Sequence, residues 1–293
     1  MVKEYLSVNF LGLLCWATVV GSPASVWCHA DLEAQIAAIT ERISLEPDHA
    51  ELYLKRGELY REHCDWQKAE ADYDHAAKCD PQLAVVDLAR GNLLFDRDLP
   101  QAARVSLDRF LKRFPLDVRG LVLRARTFVK LGQPKAAVED YTRAIENAAT
   151  PAPEFFIERA QALSAEGSDH IDEALRGIEE GRKKLGTVIT LELCGLDLEL
   201  QKGDFDAALA RLDRIASTSP RKETWLARRG DILEKAKRPA EARKAYADSL
   251  EAIDLLPKRF RHTKAVEDLE TRVRASLQRL SLEEPGERAV HAP

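Results

Sequence analysis

Long runs of Val, Ile and Thr are missing from this 293-residue sequence, and aromatic residues make up only 6% of it. Sheets draw on β-branched and aromatic side chains for their pleated faces. Ala, Leu, Arg and Glu recur instead, and these favour helix, so an all-α chain is expected. Excess positive charge is also lacking: 44 Lys and Arg face 49 Asp and Glu, for a net charge of −5. That balance argues against nucleic acid or an anionic membrane surface as the main partner. The motifs G-x-x-x-x-G-K-[ST], G-x-G-x-x-G, H-E-x-x-H and G-x-S-x-G do not occur. Without a phosphate cradle, a zinc pair on one helix face or a nucleophile elbow, no catalytic residue and no cofactor is assigned, and the chain is read as non-enzymatic.

Cysteine is sparse and unpaired in pattern. Cys15 and Cys28 fall in the apolar N-terminus, leaving Cys64, Cys79 and Cys194 with no C-x-x-C spacing. At opposite ends of one helix, Cys64 and Cys79 would stand roughly 22 Å apart, too far to bridge. All three are read as small buried hydrophobes. His75 and Cys79 are four apart, but His63, Cys64 and Asp65 lie about a helix length away, so no metal site is expected.

The N-terminus is a separate object. A short segment with Lys3 precedes the apolar stretch Leu6–Gly21, and "SPASVWCHA" breaks it. Small residues suit cleavage after Ala24 or Ala30. Ala30 is favoured because Asp31 could then N-cap a helix. Residues 1–30 are thus read as a signal peptide of an exported, periplasmic or secreted protein without stable membrane insertion after cleavage. An uncleaved anchor is the alternative, though the apolar core is short for a span of about 20 residues. Trp27 stands where a lipoprotein signal wants a small residue before Cys28.

From residue 50 onward a skeleton repeats. With the small residue after a recurring Arg set at unit position eight, that position holds Gly57, Gly91, Ala125, Ala160 and Gly230, the first three spaced 34 apart. Twelve further on come Ala69, Ala103, Ala137 and Ala242, with Ala174 displaced by two; four later come Tyr73, Leu107, Tyr141, Ile178 and Tyr246. Pro81, Pro115, Pro151, Pro220 and Pro257 close units. The fifth unit keeps Gly203, Ala208, Leu212 and Pro220, but its first helix is blurred around Gly195 and Leu196. Each unit carries two stretches of helical period around a short break: "HCDW", "RDLP", "LGQP", "KGDF", "AKRP". Small residues at positions eight and twenty allow two antiparallel helices to approach, and bulky residues fill the space between neighbours. One such pair cannot bury its apolar face alone, so units must stack.

The spacing and residue types resemble the tetratricopeptide repeat family over residues 50–257, with Tyr53, Gly57, Tyr60, Ala69, Tyr73, Ala76 and Pro81 matching in the first unit. The resemblance implies a right-handed superhelical solenoid of antiparallel helix pairs, about six units. Residues 31–49 read as an N-terminal capping helix, 258–281 as a C-terminal one, and 282–293 as a disordered tail.

It also implies that the first helices line a concave groove able to hold a peptide. Position five there carries Leu54, Leu88, Val122, Ile157, Leu193 and Ala227; position nine Glu58, Asn92, Arg126, Gln161, Asp197 and Asp231. Phe95 and Val129 at position twelve extend the apolar strip. The groove residues are therefore taken as Leu54, Leu88, Asn92, Phe95, Val122, Arg126, Val129, Ile157 and Gln161, with Leu88 and Val122 partly exposed in the free chain. Packing of the position-five ladder within the superhelix is the alternative. The family's carboxylate-clamp variant wants Lys and Asn in this trough, but Leu54 and Leu88 take the basic slot and only Asn92 fits. The position-seven arginines Arg56, Arg90, Arg124, Arg159 and Arg229 are read as structural, pairing with acids such as Asp72 or Asp140. Arg119, Arg124, Arg126 and Lys130 form either a basic patch or a solvated face, and Gly177-x-x-x-Gly181 marks close helix packing. The function expected is a scaffold that holds a protein or peptide partner in the groove. The alternative is an exported carrier of a small apolar ligand or lipid.

Overall fold

A computed structural model describes residues 23–282; the apolar N-terminal stretch and the tail beyond Leu282 lie outside the described residues. The chain divides into two compact units, residues 1–97 and 98–293. In the first unit lie α1 (Pro23–Leu45), α2 (Ala50–Glu62), α3 (Trp66–Cys79) and α4 (Val85–Asp96). In the second lie α5 (Pro100–Arg113), α6 (Val118–Lys130), α7 (Pro134–Asn147), α8 (Pro153–Ala165), α9 (Ile171–Leu185), α10 (Ile189–Lys202), α11 (Phe205–Thr218), α12 (Glu223–Lys235), α13 (Pro239–Asp254), α14 (Lys258–Arg261) and α15 (Lys264–Leu282). No strand occurs among the described residues, and the all-α architecture of packed helix pairs is as expected: α2 with α3, α6 with α7, α8 with α9, α10 with α11, α12 with α13.

The pairs are closed by the small positions. Ala69, Ala103, Ala137, Ala174, Ala208 and Ala242 are all completely buried. At position eight the approach is closer still: a Cβ on Gly57 would lie 2.6 Å from the Tyr73 ring, and one on Gly230 2.4 Å from that of Tyr246. Where one residue grows, a neighbour shrinks. Phe110 is bulky where other repeats have Ala76 or Ala144, and Gly120 makes room for it, with a hypothetical Cβ 2.8 Å from the ring. Gly181 does the same for Phe156 at 2.9 Å, and Gly177 lies against the Arg159 guanidinium, so this glycine pair marks close packing.

Helix boundaries follow local chemistry. The turn between paired helices places one residue in the left-handed region: Cys64, Asp98, Gly132, Gly203 and Lys237, at φ between 55° and 79°. The second helix then starts in one of two ways. Asp65 and Asp204 accept the backbone N–H three residues on, whereas Pro100, Pro134 and Pro239 sit in the first turn, where no N–H is needed. The two-residue displacement of Ala174 has its cause in a 3-10 turn, Ser168–His170, inserted before α9. The unit-closing prolines all fall beyond their helices, and Gly186, at φ 79°, ends α9 instead.

Three expectations, two on boundaries and one on burial, need correction. Asp31 is not an N-cap: α1 is already helical at Pro23 and runs unbroken to Leu45, with no Gly or Pro after Pro23 to stop it, and Asp31 accepts a bond from Gln35 within it. The expected C-terminal helix is two helices, because the Thr263 hydroxyl and N–H both return to the Phe260 carbonyl and interrupt the ladder. Cys64 is exposed, since it occupies the left-handed position of a turn; Cys79 and Cys194 are half-buried.

The non-glycine turn residues give a direct test. Lys237 is exposed and sits at φ 58°. Replacing it with Gly should raise stability by about 1 kcal/mol by relieving the left-handed backbone. Gly203→Ala, at φ 79°, should lower stability by about the same amount. Thermal melts of both variants check the opposite signs.

Candidate functional site

The groove residues expected from the sequence sit on the first helices of their pairs. In the first unit Leu54 lies on α2 and Leu88, Asn92 and Phe95 on α4; Leu54, Asn92 and Phe95 are half-buried. Leu88 and Val122, expected to be partly open, are only 7% and 6% exposed. For Val122 the reason is the close seating of α6 at Gly120, which covers three consecutive residues, Leu121 to Leu123; on α4, Val86, Leu88 and Ala89 are buried together. On α6, Val129 is 49% exposed. Ile157 and Leu193 are half-buried, and Ala227 is fully buried.

Two of the expected residues are brought together. Ile157 and Gln161 of α8 face Leu193, Asp197 and Gln201 of α10 across an open cavity of about 470 Å³, whose lining also includes Ser164, Thr190, Cys194 and Leu198. Its lining combines the aliphatic Ile157, Leu193 and Leu198 with two carboxamides, each able to donate and accept; the Gln201 Oε1 also accepts the Ser164 hydroxyl at 3.3 Å. Leu193 and Asp197 occupy positions five and nine of the fifth unit, so the repeat register already pointed to them. Cys194 and Gln201 lie off the positions that the register marks. Burial, with the Asp197 charge adding to it, pushes the Cys194 thiol up to about 11.

Most charge on the first-helix face is already matched within the chain. Arg126 makes two bonds to Glu158, at 2.9 and 2.8 Å. The other members of the basic patch are paired as well: Arg119 with Asp117, Arg124 with Asp140 and Asp108, and Lys130 with Asp98. It is therefore a neutralised face. The buried tyrosines reach the same face from below. Tyr73 donates to Glu58 at 2.6 Å, Tyr141 to Glu158 at 2.7 Å and Tyr246 to Asp231 at 2.8 Å. Burial first, and the adjacent carboxylate second, push all three hydroxyls above their ordinary range.

The position-seven arginines are structural, as read. Arg56 grips Asp72 at 2.8 and 2.7 Å, and Arg124 grips Asp140 at 2.7 and 2.8 Å. Arg90 reaches Asp74, Arg159 reaches Glu180 and Arg229 reaches Asp213. The fifth unit inverts the scheme. Gly195 stands where the arginine recurs, and Arg211 stands fifteen residues after position eight, where Asp72 and Asp140 stand in theirs. A Cβ on Gly195 would lie 2.6 Å from the Arg211 guanidinium, which fills the vacated space. Only 3% exposed, Arg211 bonds Glu199 at 2.8 Å, Glu179 at 2.9 Å and Glu192 at 3.0 Å. Burial opposes its charge, but the three carboxylates outweigh it and hold the guanidinium more firmly protonated than usual. This network fixes the back of α10, the helix whose front walls the cavity.

His75 stacks on Tyr53, with ring centroids 4.4 Å apart, and no cluster of metal-ligating side chains occurs among the described residues. Nor is any described helix long and apolar enough to cross a membrane.

Antiparallel pairs stacked through small residues, with groove-like surface on their first helices, define a helical-repeat protein. Models of the tetratricopeptide repeat match residues 88–152 and 122–169, and a model of the tetratricopeptide repeat-like domain matches 160–269. Residues 88–269 are tetratricopeptide repeats. No curated protein matches the chain. Among solved structures it is similar to YrrB, described as a repeat protein of this family with an unusual peptide-binding site, at 22% identity and a TM-score of 0.52, covering 64% of this chain and 96% of that one. A tetratricopeptide repeat protein of Parabacteroides merdae aligns at 15% identity and a TM-score of 0.53, over 86% and 95%. PilW, a type IV pilus biogenesis factor, aligns at 18% and 0.55, over 69% and 94%. At these identities the likeness is one of fold.

The half-buried thiol in the cavity wall offers a check on this geometry. At pH 8, iodoacetamide should alkylate exposed Cys64 at least about tenfold faster than Cys194, because the thiolate is the reacting form. The Cys194 rate should climb as pH rises towards about 11. Equal rates at pH 8 would contradict the enclosed placement of Cys194.

Proposed function

We propose that this chain is a non-enzymatic interaction scaffold that holds a polypeptide segment against its first helices, outside the cytoplasm. The observation that carries the reading is the cavity between α8 and α10, where Ile157 and Leu193 offer an aliphatic seat and Gln161 and Gln201 offer paired donors and acceptors. An extended segment needs such a combination: a pocket for a side chain and amides for its backbone. The tetratricopeptide repeats support it, since the fold typically presents a surface to protein partners, and the printed description of YrrB concerns peptide binding. The openness of the cavity favours a polypeptide over an enclosed small apolar ligand or lipid. Of the other expected groove residues, Leu54, Asn92, Phe95, Arg126 and Val129 have surface to offer, while Leu88 and Val122 contribute mainly by holding their helices. Export rests on the sequence of residues 1–30.

Ile157→Asp places a charge on the cavity wall at a half-buried site. It should abolish capture of the native partner while costing less than about 1 kcal/mol. Val122→Asp, at a buried site, should cost several kcal/mol. Pull-down and thermal melting on both variants separate the two roles; a polypeptide still captured by Ile157→Asp would refute the site, and a co-purifying lipid in place of a polypeptide would favour the carrier. Mass analysis of the exported fraction should find a chain starting near Asp31, and an intact Met1 would contradict cleavage.

A further inference from the structure

We propose that a second cavity, on the α12 side of α10, seats an acidic side chain of the bound segment, so that the partner carries a carboxylate about three residues from its aliphatic anchor. The inference rests on the groove reading above and adds the charge and spacing of the ligand. This cavity, about 300 Å³, is bordered by Leu200 of α10, Thr224, Arg228, Asp231 and Lys235 of α12, and Arg272 of α15.

Its charge stands out in a chain of net charge −5. Three cations line it against one carboxylate, and that carboxylate is already committed. Asp231 takes both oxygens to Arg272, at 2.9 Å each, and accepts the Tyr246 hydroxyl at 2.8 Å. Among the described residues Arg228 is bound only to Asp197, whose side chain is largely exposed, at 2.8 Å. Lys235 is exposed and makes no ion pair among the described residues. The cavity thus holds donors in excess of acceptors: an ammonium, the free edge of a guanidinium and a hydroxyl. A carboxylate is acceptor-only and satisfies such a set. Leu200 supplies apolar contact for the short methylene stem that carries it.

The spacing follows from the helix that separates the two cavities. Asp197 borders the first and Arg228 the second, and their ion pair lies between them. Neighbouring helices pack 8–10 Å apart, and a segment in the polyproline II conformation advances about 3.1 Å per residue with three residues per turn, so that side chains three apart share one face. A segment crossing α10 with its aliphatic residue beside Ile157 and Leu193 therefore brings the third residue away from it to Lys235 and Arg228.

The test uses the full chain and acetylated, amidated decapeptides of Ser, Thr and Gly that carry one Leu and, three residues before or after it, either Glu or Gln. By fluorescence anisotropy, one Glu peptide should bind about tenfold tighter than its Gln counterpart, as one charge-assisted bond provides. The preference should collapse in about 1 M NaCl. Lys235→Glu, at an exposed position, should leave melting unchanged and abolish or reverse the preference. If Leu peptides bind equally with Glu or Gln, yet lose binding on Ile157→Asp, the acidic seat is overturned and the groove reading stands. If no Leu peptide binds, or binding ignores Ile157→Asp, the groove reading falls and the acidic seat falls with it.

Discussion

A tyrosine ring packed directly against a glycine of the preceding helix is the contact on which the rest of the arrangement depends. At Gly57 and Gly230 there is no space for even a methyl group beneath Tyr73 and Tyr246. Dense cores tolerate neither added atoms nor voids, so the ring position fixes both the distance and the rotation of the paired helices. The hydroxyl then emerges at a defined point and finds Glu58 or Asp231 on the first-helix face. One side chain in this way sets the helix pair from below and the electrostatics of the groove face from above.

Charge follows the same architecture. Buried ion pairs are costly to form and far more costly to break by removing one partner. That asymmetry explains why the arginine and acid of Arg56–Asp72 and Arg124–Asp140 recur together, and why the fifth unit changes both members at once. Gly195 opens the space and Arg211 enters it from the opposite helix, where Glu192 and Glu199 are buried around it. The unit that departs most from the repeat pattern is thereby the one with the densest ion network. Its first helix, α10, is held from behind and presents side chains to both cavities.

How much of this was legible in the sequence depends on whether a residue answers to its own repeat or to a neighbour. The helix pairs, the small contact positions and the Arg56–Asp72 and Arg124–Asp140 pairs all follow from spacing within one unit. Burial of Leu88 and Val122 does not, because it depends on how closely a helix sits on the one before it, which Gly120 decides for α6. Capping propensity alone points to Asp31, but the helical sequence runs uninterrupted on both sides of it, from Pro23 to Leu45. The role of α10 was hidden by Gly195 and Arg211, which look like loss of pattern when read singly. Read as a reciprocal exchange between position seven and the acid position, they mark the network. The acidic lining partner Asp197 and the aliphatic Leu193 were in register throughout, obscured only by the blurred unit around them.

The central claim is that a ring-on-glycine contact holds the helix pair that carries it, α2 with α3 and α12 with α13, locally. Hydrogen exchange by mass spectrometry on Gly230→Ala tests it most directly. Forcing a methyl group beneath Tyr246 should cost about 1–3 kcal/mol. In a stack where each repeat touches only its neighbours, that loss should appear as faster exchange in α12 and α13, spreading to α11 and α15 and leaving α6 and α7 protected as before. Unchanged exchange in α12 and α13, or an equal loss of protection in α6 and α7, would contradict the account.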